Sequence, residues 1–283
     1  MKRLAWVFSL AVSGLLAAAP ELEQAQRRYN HTDYEGALKL LLPLGVKDGA
    51  VFELIGKCHF MTGEFKQATE AFEMALAAEP TNSGFAHWLG KAYGKRAETS
   101  SPFTAPGYAG KARRHFEQAV QLDPANSEAV NDLFEYYMQA PGFLGGGLDK
   151  AAALAKRIAA QDPVEGDYAL ARIAEKRKEY GTAEEHLRRA VEGAPMQVGR
   201  VVDLARFLAK QGKIHESEQT FLDAERISPN DPKVLFARAE TYIKARRNLE
   251  QARDLLKRYL AAPPTPDNPS RSAAEKLLRE AGG

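Results

Sequence analysis

Six prolines stand at the same place in a recurring pattern, and this limits the possible folds of the 283-residue chain more than any other feature. They are Pro80, Pro124, Pro163, Pro195, Pro229 and Pro264, and the residues twelve, eight and five positions before each fall into one series. Pro80 follows Ala68, Phe72 and Ala75; Pro124 follows Ala112, Phe116 and Ala119; Pro163 follows Ala151, Ala155 and Ile158. Pro195 follows Ala183, Leu187 and Ala190; Pro229 follows Ser217, Phe221 and Ala224; Pro264 follows Ala252, Leu256 and Tyr259. Intervals of four and then three put each trio on one stripe of a helix, and the proline, lacking an N–H, ends that helix. A small residue at either end of the stripe lets a neighbouring helix come close, while the large residue between them fills the gap.

A second helix precedes each of these, marked by a large apolar residue and then a small one: Ile55-Gly56, Leu89-Gly90, Leu170-Ala171 and Leu204-Ala205. Glycine inside a helix costs about 1 kcal/mol relative to alanine, so Gly56 and Gly90 point to a helix crossing too close for a Cβ. Gly63 and Gly212 mark the turn between the two helices, each followed two positions later by an apolar residue, Phe65 and Ile214. This order of large, small, aromatic, Ala, aromatic, Ala and Pro resembles the tetratricopeptide repeat, most closely over Val51 to Pro80 and Val198 to Pro229. The resemblance implies an all-α fold, an α-α superhelix of about seven helix-turn-helix units. The expected boundaries are a signal peptide over 1–19, a solenoid over 20–264, and a linker with a capping helix over 265–283, the cap carrying Ala274, Leu277 and Leu278 as its apolar stripe. The first unit, Pro20 to Leu44, keeps Ala25 and Ala37 at the usual separation but lacks its proline.

The signal peptide is read from Lys2 and Arg3, the apolar run Leu4 to Leu16, and the small residues Ala17, Ala18 and Ala19. The run is too short for a membrane-spanning helix, which needs about 20 residues, and no cysteine follows it to carry a lipid. A periplasmic or secreted protein with no span in the mature chain is expected. Removal of residues 1–19 takes two of the 39 basic residues and none of the 37 acids, leaving a formally neutral chain. Nucleic-acid binding, which draws on a basic surface, is therefore not expected. The one cysteine, Cys58, excludes an internal disulfide and reads as a small core residue.

Catalytic and cofactor chemistry has no foothold in these residues. Gly145-Gly146-Gly147 lacks the Lys-Ser/Thr of a phosphate loop and reads as a tight turn. The six histidines form no metal-ligating pair at helical spacing, and no nucleophile motif is present. No cofactor and no metal are expected. The leading function is a protein-binding adaptor in the cell envelope. The alternatives are a structural subunit of an envelope or secretion assembly and, less favoured, a cell-wall enzyme on a repeat scaffold.

Departures from the repeat carry the site hypothesis. From the small residue of the first helix to the first Ala of the second, most units have twelve residues, but Gly90 to Ala112 spans twenty-two and Phe134 to Ala151 seventeen. Insertions of ten and five residues at the turns of units three and four are thus expected, with Phe103 and Tyr108 in one and Phe143 and Leu144 in the other. Such loop aromatics either bind a partner or fold down over the lengthened helix ends. The resemblance also implies that the first helices line a groove facing a partner protein or peptide, with Lys57, His87, Trp88, Lys91, Asn131 and Glu135 turned toward it. Trp88 reads equally as an interface anchor or as a core residue replacing the small Ala86.

Overall fold

The computed structural model describes residues 20–263 and 268–282; the expected signal peptide and Pro264 lie outside them. Among the described residues there are helices and no strands. Helix α1 covers 20–30 and pairs with α2 (Tyr34–Leu41); α3 (Gly49–Met61) pairs with α4 (Phe65–Ala78), and α5 (Ser83–Thr99) with α6 (Ala105–Leu122). Then come α7 (Ser127–Gln139), a 3-10 turn (Gly142–Leu144) and α8 (Leu148–Gln161). The pairs α9 (Pro163–Lys176) and α10 (Tyr180–Gly193), α11 (Val198–Lys210) and α12 (Ile214–Ile227), and α13 (Pro232–Lys244) and α14 (Leu249–Ala261) follow, closed by α15 (Arg271–Glu280). Seven helix pairs and a terminal helix match the repeat count. The described residues fall into two compact units dividing between Ala151 and Ala152.

Every residue of the six proline-indexed trios is buried, from Ala68, Phe72 and Ala75 through to Ala252, Leu256 and Tyr259. Burial of so many apolar side chains, at about 25 cal/mol per Å² of apolar surface, is what holds an array with no disulfide together. In the first unit, a Cβ built on Gly56 would lie 2.7 Å from the Phe72 ring, and one on Gly90 would lie 2.6 Å from the Phe116 ring. The glycines are therefore contact surfaces, each receiving the large residue of its partner helix against bare backbone. In the second unit the backbone of α8 at Ala159 presses on Gly166 of α9, a close approach consistent with the small Ala155 at the stripe centre. Pro163 sits in the first turn of α9, with Asp162 capping the helix through Val164 N at 2.9 Å and Glu165 N at 3.1 Å. One proline thus both stops α8 and starts the next helix.

The turn within a pair needs one residue in the left-handed region, seven positions after the small residue. Gly63 and Gly212 occupy it with φ of +82° and +75°, and Thr32, Lys178 and Arg246 occupy the equivalent position in three other pairs with φ of 60°, 64° and 50°. The glycine signal was therefore present in only two of five such turns, because the packed helices on either side impose the conformation even on residues that resist it. At the far end, Ser270 caps α15 by accepting from Ala273 N at 3.2 Å. Ala274 is buried, and Leu277 and Leu278 pack on the α13–α14 core, as the apolar stripe implies.

The insertion of unit three is not a loop. Relative to α3 and α4, four extra residues lengthen α5, four lengthen α6, and two go to the turn. Pro106 in the first turn of α6 is the signal that was passed over, since proline is favoured at the start of a helix. The five-residue insertion of unit four does lie in the turn, which holds the 3-10 segment.

Gly56→Ala tests the bare-backbone contact. Phe72 is fully buried and stacked on Trp88 at 5.7 Å and 20°, so the ring has nowhere to retreat. Overpacking costs about 1–3 kcal/mol against about 1 kcal/mol gained in helix propensity, so a net loss in denaturant stability is expected. Adding Phe72→Leu should recover part of the loss attributable to the clash. A Gly56→Ala variant more stable than the parent would refute the contact.

Candidate protein-binding site

In the first unit, an aromatic cluster forms around Trp88 of α5. Its ring stacks on Phe72 and meets Phe60 edge-on at 5.6 Å and 81°. Lys91 Nζ lies 4.3 Å and Lys57 Nζ 5.1 Å from the ring centroid, both inside the range of cation–π attraction. Lys57 is also paired with Glu53 at 2.8 Å. Trp88 is half-buried and therefore belongs to core and surface at once. Its packing immobilises it, and the two lysines flank the part that stays in solvent.

His87 departs from the expected placement. It is 2% exposed, and its Nε2 lies 2.7 Å from Asp132 on α7, with Glu128 4.0 Å from Nδ1. It joins α5 to α7 from inside and does not face a partner. A residue one position before Trp88 on a helix is turned about 100° away from it, and here that turn leads into the α5–α6–α7 interior, where Phe116 lies 6.0 Å from the imidazole.

Lys91, Glu135 and Leu144, taken from α5, α7 and the 3-10 turn, converge on one cavity of about 450 Å³. Small residues of α5 and α6, Gly94, Ala97, Ala109 and Ala112, supply much of its lining, because the lengthened helices present glycine and alanine there. Asp132 and Tyr136 contribute polar groups, and Lys95 and Glu98 form an ion pair of 2.7 Å. A mostly apolar hollow with a few placed charges, in the size range of ordinary ligand pockets, suits an inserted side chain. Asn131 is exposed on α7 and does not line this cavity. Tyr136 and Phe60 had drawn no notice in the sequence; a Tyr-Tyr pair at the end of a helix beside an insertion was the available signal for the former.

The turn that bears Phe143 and Leu144 is tightly fixed. Tyr136 Oη donates to Leu144 O at 2.9 Å, Lys150 Nζ to Gly145 O at 2.8 Å, and Gly147 N to Tyr137 O at 2.9 Å. Gly145 adopts φ of +81° with Arg113 against it, and Gly146 leaves no room for a side chain against Ala140. Yet Phe143 on this fixed backbone is 82% exposed, and Phe103 in the turn before α6 is 96% exposed. Neither folds down over the helix ends. Tyr108 does: it lies on α6, stacks on Tyr93 at 6.1 Å and accepts a bond of 2.6 Å from Arg96, whose guanidinium carbon lies 4.1 Å from its ring centroid. Tyr93 in turn donates to Glu73 of α4 and stacks on His115. Burial, reinforced by the bond to Glu73, raises the Tyr93 phenol above its ordinary value, and burial lowers the His115 imidazole.

Cys58, His59 and His186 are absorbed by structure. Cys58 is fully buried in the α1–α3 core, and desolvation pushes its thiol up to about 11. His59 pairs with Glu64 at 2.5 Å and His186 with Asp167 at 2.7 Å. Among the described residues, no three His, Cys, Asp or Glu side chains gather as a metal site, and no helix is long and apolar enough to cross a membrane.

These features define a class, the all-α proteins built from stacked helix hairpins. Residues 202–269 match the family model of the tetratricopeptide repeat. A tetratricopeptide repeat protein from Parabacteroides merdae shares the fold with a TM-score of 0.65 over 95% of this chain and 100% of its own, at 15% identity. The C-terminal part of a TPR repeat-containing protein from Cytophaga hutchinsonii gives 0.55 over 91% and 99%, at 17% identity. PilW, a widely conserved type IV pilus biogenesis factor, gives 0.54 over 83% and 98%, at 18% identity. No curated protein matches the chain in sequence. The family match thus stands over residues 202–269, and the shared fold extends the likeness to tetratricopeptide-repeat structures over most of the chain. Such scaffolds generally mediate contacts between proteins and are typically non-catalytic.

A desolvated thiol is a poor nucleophile. At about pH 8 a thiol-specific disulfide reagent should label the native chain only at the rate of unfolding, and label it at once in denaturant. Rapid stoichiometric labelling of folded protein would show Cys58 to be accessible.

Proposed function

We propose that the chain is a non-catalytic scaffold of the cell envelope that holds a segment of another protein at the unit-three and unit-four edge. The observation that carries this reading is the convergence of Lys91, Glu135 and Leu144 on one cavity beside two exposed phenylalanines, one of them on a backbone fixed by several hydrogen bonds. A rigid aromatic loses little conformational entropy on binding, and such residues dominate interface energetics. Trp88, braced by Phe60 and Phe72, offers a second fixed aromatic next to Lys91. Export is supported by the basic pair, apolar run and small residues over 2–19.

A photo-crosslinking residue at Gln139, which lines the cavity, should trap a discrete partner in cells. Phe103→Ser with Phe143→Ser should reduce that product about thirtyfold, since truncating a central aromatic anchor costs about 2 kcal/mol, with helicity unchanged. Undiminished crosslinking in the double variant would remove this edge as the binding surface. Export is tested separately: N-terminal sequencing of chain recovered from the envelope should begin within a few residues of Pro20. Recovery of the full chain, Met1 included, from the cytoplasm alone would reject it.

A further inference from the structure

The second unit carries a basic strip on its first helices that the edge described above does not use. Lysine recurs five positions after the small residue in three successive first helices: Lys176 after Ala171, Lys210 after Ala205 and Lys244 after Ala239. Arginine stands one position after the small residue in two of them, as Arg172 and Arg206. Salt bridges tie the three helices side by side. Lys210 of α11 meets Glu175 of α9 at 3.0 Å, Arg206 of α11 meets Glu240 of α13, and Glu240 also meets Lys244 at 2.7 Å.

Arg206, Lys210 and Lys244 rim a cavity of about 430 Å³ with Ala209, Thr241 and Ala245 among its lining. The Thr241 hydroxyl is taken by Ala237 O at 2.7 Å, so the small-residue part of the lining offers room while the rim supplies the charge. Lys210 and Lys244 keep 64% and 71% of their side-chain surface in water despite their ion pairs. Against these five cations stand Glu175, Glu240 and Asp203, and burial shifts the Asp203 carboxyl upward, toward its neutral form. The strip is therefore positive even with all three carboxylates ionised.

We infer that this strip binds the carboxylates of an acidic polypeptide segment lying across α9, α11 and α13. Packed helices stand about 8–10 Å apart and a polyproline II chain advances about 3.1 Å per residue with three residues per turn, so acidic side chains three residues apart share one face and match successive lysines. A nucleic-acid backbone fits less well, because it carries a phosphate at every nucleotide, whereas the neutral residues between the peptide's carboxylates can lie against Glu175 and Glu240.

The test uses fluorescence anisotropy of a labelled peptide with glutamate at every third position and alanine between, against purified full-length chain at about 0.05 M salt. Saturable binding is expected, with none to the glutamine counterpart and loss at about 0.5 M salt, where screening shortens the reach of the charges. Lys210→Glu with Lys244→Glu, both on exposed side chains, should weaken binding about tenfold or more, with helicity by circular dichroism unchanged. Phe103→Ser with Phe143→Ser should bind the peptide as the parent does, which separates this strip from the edge proposed above. Absent saturable binding, equal binding of the glutamine peptide, unchanged affinity in the charge-reversed variant, or tighter binding of a single-stranded oligonucleotide would each overturn the inference.

Discussion

The spacing of the helix pairs depends on aromatic rings pressed against bare backbone. Phe72 on Gly56 and Phe116 on Gly90 set how closely α3 and α4, and α5 and α6, can approach. The buried alanines at either end of these two stripes, Ala68 and Ala75, Ala112 and Ala119, keep that approach uniform along the helices. Once the distance is fixed, other contacts become possible: His87 reaches Asp132, Tyr93 reaches Glu73 and Tyr137 reaches Glu117 at 2.8 Å. The same Tyr-to-Glu link appears in the second unit as Tyr242 to Glu218 at 2.7 Å. Each Tyr-to-Glu bond joins the first helix of one pair to the second helix of the pair before it, and His87 joins two successive first helices. Neighbour-to-neighbour bonds of this kind are how a linear repeat array acquires cooperativity without a central core.

Held in register, the helices also decide what an insertion becomes. Between α5 and α6 most of the added chain extended the helices, since a helix satisfies its own backbone polar groups and a long loop does not. Between α7 and α8 the added residues include three consecutive glycines, which leave helix early and close on a 3-10 turn. One insertion thus lengthens a hairpin and the next supplies a fixed tip beside it, and the cavity that takes in Ala97, Ala109 and Leu144 is the space they share.

The repeat was legible because its signal is a spacing, and spacing survives substitution: Ser217 and Tyr259 fill their stripe positions as tightly as alanine and leucine do elsewhere. The site was legible only in part. Lys91 and Glu135 were placed by register and Leu144 by the insertion, and the three do meet, whereas His87 was carried to the surface by the same register and turned out to be interior. Register gives the direction of a Cβ but not what the adjoining helix offers it, and Asp132 drew the imidazole inward. The exposure of Phe103 and Phe143 was undecidable from residue type, because an aromatic beside a lengthened helix has two plausible destinations. Only the hydrogen bonds made by Tyr136 and Lys150 settle the second of them.

That pinned tip has a cost in water. A benzyl group mounted on a backbone anchored at several points cannot swing aside to find shelter, as one on a slack loop would. Its hydration is therefore a standing charge on the solubility of the solitary chain, offset only by the ionised helices around it. The bonds that anchor its backbone hold the ring out in solvent and cannot also shelter it.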